Sequence, residues 1–259
     1  MPKNNITYQK YNIATVSNEG YKDFLKVFLN SLFDNADSDS LESVFVFDTG
    51  LSEETKKNLQ VVSEKIQFVD TDLKAESNAV HDEGWAKNTY SKTKFLFYAL
   101  NSTQQPCFLI DVDCVFQSNF EKEINWGSDF SVCWRGDNHP ISDHLGSFFG
   151  ATNVAKSLLF LKIWRMQLDI ATKNKELFEL KGLDKGAYGM KHLESPSLSY
   201  CIKSFNGFFD CHNIEEDKIS CVKVNPFANV YHLKSDGFAV TIQERLNLPY
   251  AKEIVDKYV

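Results

Sequence analysis

One ten-residue stretch does most to restrict what this chain can fold into: Cys107-Phe108-Leu109-Ile110-Asp111-Val112-Asp113-Cys114-Val115-Phe116. An apolar run bounded by Pro106 ends in two carboxylates two residues apart and then turns apolar again. A short apolar run after a turn residue predicts a buried strand. Side chains alternate along a strand, so Asp111 and Asp113 are expected to point the same way. Two carboxylates beside a core are costly unless a cation sits between them. Hard divalent ions take oxygen ligands and bridge to phosphates. The stretch therefore predicts a metal–phosphate site at the C-terminal end of a central strand. The plainer reading is a turn in which one Asp caps and the other is solvated. Turn acids, however, usually sit among Gly, Ser and Asn rather than after four apolar residues.

Upstream, strands and helices alternate. Residues 12–17 (NIATVS) predict a first strand, and residues 21–33 a helix with Phe24, Phe28 and Leu32 on one stripe. Residues 43–47 (SVFVF) predict a second strand, then a helix with Ser52 as N-cap and Glu53 and Glu54 in its first turn. A short strand at 66–69 and a polar, loop-like stretch at 70–88 come next. A helix at 90–100 leads into the acid strand. Such alternation implies an α/β fold, a mostly parallel central sheet flanked by helices. Ligands of these sheets sit outside the carboxyl ends of the strands, where Ser17, Asp48 and the Asp111/Asp113 pair would gather.

The second half is less regular. Strands are expected at 130–134 and 146–150, and a helix at 154–171 capped by Asn153. A charged, solvated stretch (173–186), a helix at 196–205, a late strand at 220–225 and a surface helix from Thr241, broken at Pro249, complete the chain. No Gly/Ser/Pro-rich linker divides it. The expectation is one domain of 259 residues. Within it two functional halves are expected, about residues 10–118 and about 119–240, with 241–259 as a tail.

A net charge of −7 argues against nucleic-acid partners, which call for a basic surface. The six cysteines show no C-x-x-C spacing and read as reduced thiols. The N-terminus has no apolar signal core, and no segment is long and apolar enough to span a membrane. Cytoplasmic work is expected, with peripheral membrane association compatible.

Several landmarks recur in the order found in one family. They are IATVSNEGYKDFLKVFLNSL, SKTKFLFYAL, PCFLIDVDCVF, SFFGATNVAKSLLFLKIW, ESPSLSYCI and VYHLK. Across residues 10–235 the layout resembles GT-A-type nucleotide-diphospho-sugar glycosyltransferases with a D-x-D motif, in the glycogenin and lipopolysaccharide-galactosyltransferase arrangement. Two departures stand out. The family's D-Q reads Glu194-Ser195, and its H-x-x-G-x-x-K-P-W ending is reduced to His232-Leu233-Lys234-Ser235-Asp236-Gly237.

The resemblance implies transfer of a sugar, UDP-linked by default, to a hydroxyl of a glycan or glycolipid precursor. It implies that Asp111 and Asp113 hold Mn²⁺ or Mg²⁺ on the donor diphosphate, Asp113 more directly, with His232 as third ligand. An imidazole favours Mn²⁺. Lys92, Lys94 and Lys234 become candidates for phosphate or sugar contacts, although Lys92 and Lys94 cannot share a helix face. Ser17, Asn18, Tyr21 and Asp48 would lie at the base and ribose, and Gly150 would let the sugar approach the backbone. Glu194 would be a catalytic carboxylate, either the base for the acceptor hydroxyl or a stabiliser of positive charge on the sugar. The other five histidines (His81, His139, His144, His192 and His212) have no comparable setting.

Three rivals remain. FLIDVDCVF also fits a haloacid-dehalogenase-type phosphatase with Asp111 as nucleophile and Asp113 as acid/base. That motif normally opens its domain, whereas here three strand–helix units precede it. A nucleotide-sugar-binding protein without turnover accommodates the missing D-Q. A sugar-phosphate nucleotidyltransferase would show a Gly-rich loop after the first strand, and SNEG is a poor one.

Overall fold

The strand before the acids, β4 (Cys107–Ile110), is apolar without interruption because both of its faces are covered. Cys107 and Leu109 enter one core and Phe108 and Ile110 the other. Continuous apolar runs mark strands covered on both sides. The computed structural model describes residues 8–74, 83–137, 139, 142–173, 193–222, 225–234 and 241–259.

Around β4 the sheet is built from β1 (Tyr11–Ser17), β2 (Leu41–Asp48), β3 (Ile66–Asp70), β6 (Phe130–Trp134), β7 (His144–Ala151) and β8 (Cys211–Glu215). Their order is β3-β2-β1-β4-β7-β6-β8. β1 pairs parallel with β2 and β4, β2 with β3, and β6 with β8. β7 runs antiparallel to both its neighbours. The result is a single α/β domain with a mostly parallel sheet, as the strand–helix alternation predicts.

Helices cover both faces. α1 (Lys22–Asn35) buries Phe24, Phe28 and Leu32 at four-residue spacing against one face. α2 (Glu53–Gln60) adds Leu59 to the same core, and its Ser52 cap accepts from Thr55 N at 3.1 Å. On the other face lie α3 (Glu83–Thr103), α4 (Val154–Lys173) and α5 (Glu194–Ser204). Their Leu96, Leu100, Phe160, Trp164 and Leu198 are fully buried. All six cysteines are unpaired, in keeping with reduced thiols.

Four expectations need correction. The acid stretch is not one strand. β4 stops at Ile110, residues 111–113 turn, with Cys114 N donating to Asp111 O at 3.2 Å, and β5 (Cys114–Phe116) leaves the large sheet. It pairs antiparallel with β9 (Val230–His232) in a sheet of two strands. Half-buried carboxylates could not continue into a sheet covered on both faces, so the chain turns where they begin.

The helix expected at 90–100 begins at Glu83, inside the stretch read as a loop. Its opening turns are polar in sequence, so the apolar period that marks a helix starts late. Of the strand expected at 220–225, residues 223–224 lie outside the described residues, and the described ones carry an isolated bridge between Cys221 and Tyr231. The strand instead falls on Cys211–Glu215, a half-exposed edge whose polar sequence carries no alternation. Finally, the tail is not a surface helix. α6 (Ile242–Leu246) and α7 (Lys252–Val255) flank Pro249, but Leu246, Ala251, Val255 and Tyr258 pack into the α1 core. The stretch expected to be solvated at 173–186 lies, after Lys173, outside the described residues.

Candidate active site

The turn 111–113 opens at the carboxyl ends of β1, β2 and β4, and two hydrogen bonds set its position. Asp111 N donates to Ser147 O on β7 at 3.0 Å, and Leu233 N donates to Asp113 O at 2.8 Å. The small sheet brings His232 to the acids, because Cys114 of β5 lies opposite His232 of β9. His232 Nε2 is 3.1 Å from Asp113 Oδ1 and 3.9 Å from Asp111 Oδ2. Its Nδ1 lies 3.0 Å from Ser220 Oγ, which lies 2.9 Å from Ser147 Oγ. A neutral imidazole carries one proton. With Nε2 donating to Asp113 Oδ1, Nδ1 accepts from Ser220 Oγ; a cation held on Nε2 would need the proton on Nδ1 instead, the arrangement usual for a metal-bound histidine.

Each acid also has a cation. Lys92 of α3 donates to Asp111 Oδ1 at 2.6 Å and sits 3.5 Å from Glu194. Burial would lower the Lys92 pKa, but Asp111 and Glu194 hold it above its ordinary value. Arg245 of α6 donates through Nη2 to Asp113 Oδ2 and through Nε to Leu233 O at 2.6 Å. Its guanidinium lies over Phe24, 4.7 Å from the ring centroid, and also engages the Tyr21 hydroxyl. Burial would raise the Asp113 pKa, yet His232 and Arg245 hold it well below the usual carboxylate range.

Glu194, the first residue of α5, is 6% exposed. Burial pushes its carboxyl up to about 7 against the pull of Lys92. Its Oε1 has no hydrogen bond among the described residues. Gly146 makes room for it: a Cβ there would lie 2.6 Å from Glu194 Cδ. Gly146 N also fastens the α5 start by donating to Ser195 Oγ at 3.0 Å.

Asp113, Cys114 and His232 each offer a donor atom within 4.8 Å of the others, a group able to hold a metal ion. Burial and the two Asp carboxylates raise the Cys114 thiol well above its ordinary pKa, and its side chain belongs to the core. Cys114 therefore serves packing better than ligation.

The remaining sequence candidates divide. Tyr21 meets the cluster through Arg245. Lys234 lies at its edge, and desolvation of its ammonium, helped by Arg135, lowers its pKa against the pull of Asp111 and Asp113. Ser17 and Asn18 are buried at the end of β1, where Asn18 Oδ1 accepts from Gly20 N at 2.9 Å. Asp48 is engaged in its own loop, accepting from Gly50 N at 2.7 Å and Leu51 N at 2.6 Å and pairing with Lys56 Nζ at 2.6 Å. Lys94 is exposed on α3, about 200° round the helix from Lys92. Gly150 has a packing reason: a Cβ there would lie 2.5 Å from the buried Phe108 ring. Arg245, Ser220 and Gly146 are the residues of the site that sequence reasoning missed. The T-x-x-E of Thr241–Glu244 announces a helix start, but nothing in it aims Arg245 at the acids.

These features define the class by fold: the chain has the GT-A architecture, and Asp111, Asp113, His232, Lys92 and Glu194 meet at the carboxyl ends of its strands. The sequence itself matches no known family pattern and no curated protein. Two solved structures are similar. One is an active-site mutant of LgtC, at 12% identity and TM-score 0.56, with 95% of each chain covered. The other is the galactosyltransferase LgtC in complex with donor and acceptor sugar analogs, at 14% identity and TM-score 0.55, with 96% of each chain covered. Among the described residues, no helix is long and apolar enough to cross a membrane.

Proposed function

We propose that this protein is a metal-dependent glycosyltransferase that moves a sugar from a nucleotide-diphosphate donor, UDP-linked, to a hydroxyl of a glycan or glycolipid acceptor. The observation that carries the reading is the convergence of two carboxylates and one imidazole nitrogen, from separate elements, at the ligand-binding end of a fold similar to LgtC. Asp111, Asp113 and His232 would hold the divalent cation. Two hard oxygens and one borderline nitrogen suit Mn²⁺ better than Mg²⁺. The Ser220 contact to Nδ1 is the support such a ligand needs. When bound, the metal would supply Lewis-acid stabilisation of the departing nucleoside diphosphate.

The chain's own residues do the rest. Lys92 holds the Asp111 carboxylate in place and presents positive charge to the donor. Lys234 faces the diphosphate from the mouth of the site. Ser17, Asn18 and Tyr21, in the 10–118 half, line the place for base and ribose. Glu194, from the 119–240 half, faces the acceptor. A carboxyl near 7 is poised to take a proton from an attacking hydroxyl at neutral pH. The phosphatase alternative is not favoured, because the similar solved structures are of LgtC, a galactosyltransferase.

Calorimetric titration with UDP, GDP, CDP and dTDP, each with and without Mn²⁺, tests the reading on wild type and Asp113→Asn. One diphosphate should bind only with metal, and Asp113→Asn should abolish that binding. Metal-independent binding would remove the role given to Asp111, Asp113 and His232. Binding of none, with hydrolysis of a generic phosphomonoester, would overturn the transferase.

A further inference from the structure

Arg245 is placed in a way that a plain metal site does not require. It is 7% exposed, and its guanidinium is fixed from three sides, by the Leu233 carbonyl at 2.6 Å, the Phe24 ring at 4.7 Å and the Tyr21 hydroxyl. From there it holds Asp113 Oδ2, leaving only Oδ1 to face His232. Lys92 holds one oxygen of Asp111 in the same manner. The two acids are thus matched by two side-chain cations before any ligand arrives. A guanidinium cannot shed its proton in a protein, so the Arg245 half of the match is permanent.

Resting on the glycosyltransferase reading, we infer that Arg245 is a positioning residue that makes metal and nucleoside diphosphate bind interdependently. The balanced cluster offers a bare divalent cation little net negative charge. An incoming diphosphate brings that charge, and the cation and diphosphate then enter together. Arg245 also restricts Asp113 to a single ligating oxygen. The C-terminal segment, through α6, is in this way part of the donor site rather than an appendage.

The test is Mn²⁺ binding, read by electron paramagnetic resonance of free Mn²⁺, with and without UDP, on wild type, Arg245→Met and Arg245→Lys. Wild type should bind Mn²⁺ alone at least tenfold more weakly than Mn²⁺ with UDP. Arg245→Met should bind Mn²⁺ alone at least tenfold more tightly than wild type, and Arg245→Lys should stay near wild type. A gain in metal affinity is not what structural damage produces. The inference is overturned if Arg245→Met binds Mn²⁺ no better than wild type. It is overturned equally, whatever the variants do, if UDP binds and wild type still binds Mn²⁺ as well without UDP as with it. Failure of UDP and the other diphosphates to bind under any condition would instead sink the proposed function. In that event the Mn²⁺-alone comparison of Arg245→Met with wild type still decides the role of Arg245 in setting the charge of the cluster.

Discussion

Glu194→Gln isolates the energetic consequence of burying an acid beside Asp111. In the folded protein the Glu194 carboxyl is pushed up from 4.5 to about 7, first by burial and further by the Asp111 charge, with Lys92 opposing. A carboxyl raised on folding makes the native state bind the proton more tightly than the unfolded chain. Its contribution is most favourable below about 4.5 and is lost as pH rises through 7. With these two values, the loss between pH 5 and pH 8 comes to about 2 to 3 kcal/mol. Gln is neutral throughout and close in shape. Urea denaturation of wild type and Glu194→Gln in EDTA should therefore show the variant gaining about 2 to 3 kcal/mol on wild type between those pH values. Asp113 does not interfere. Its lowered pKa gives stability that is lost only in acid, below the window, and it is common to both proteins. A gap between the two proteins that stays constant from pH 5 to pH 8 would refute the reasoning, because Glu194 would then be ionised in both states.

Three further outcomes follow from the geometry. Gly150→Ala should lower stability by about 1 to 3 kcal/mol, measured by urea midpoint, since its Cβ meets the fully buried Phe108 ring. Gly146→Ala should instead displace the free end of Glu194, cutting sugar transfer about tenfold or more while the urea midpoint moves little. Ser220→Ala should weaken Mn²⁺ binding in the presence of nucleotide by roughly 10- to 100-fold, because the His232 ring loses the contact at Nδ1; unchanged affinity would show that the ring is held by β9 alone.

The first half of the fold was legible because its signals are local. Apolar runs in β1, β2 and β4 and the Phe24-Phe28-Leu32 stripe depend only on neighbours in sequence. β8 was not legible, because an edge strand reading Cys-His-Asn-Ile-Glu has no period to detect. At the site, the acid pair announced itself by following the apolar run of β4. A turn, not strand alternation, aims Asp111 and Asp113. Gly146 and Gly150 are equivalent in sequence, and only the partner across each, Glu194 or Phe108, separates their roles. Arg245 reads as an ordinary charge in an exposed-looking helix. Its role exists only because α6 folds back on α1, a long-range fact that no local pattern encodes.

Asp113 and Arg245 are separated by 132 positions in the sequence. On a ribosome adding about 5 to 20 residues per second, the acid pair is made roughly 7 to 26 seconds before its arginine. For most of that interval Asp113 has neither His232 nor Arg245 to meet it. The cluster around Asp113 is therefore completed only once residue 245 has been synthesised, and a polypeptide halted before it would lack the clasp on its central carboxylate.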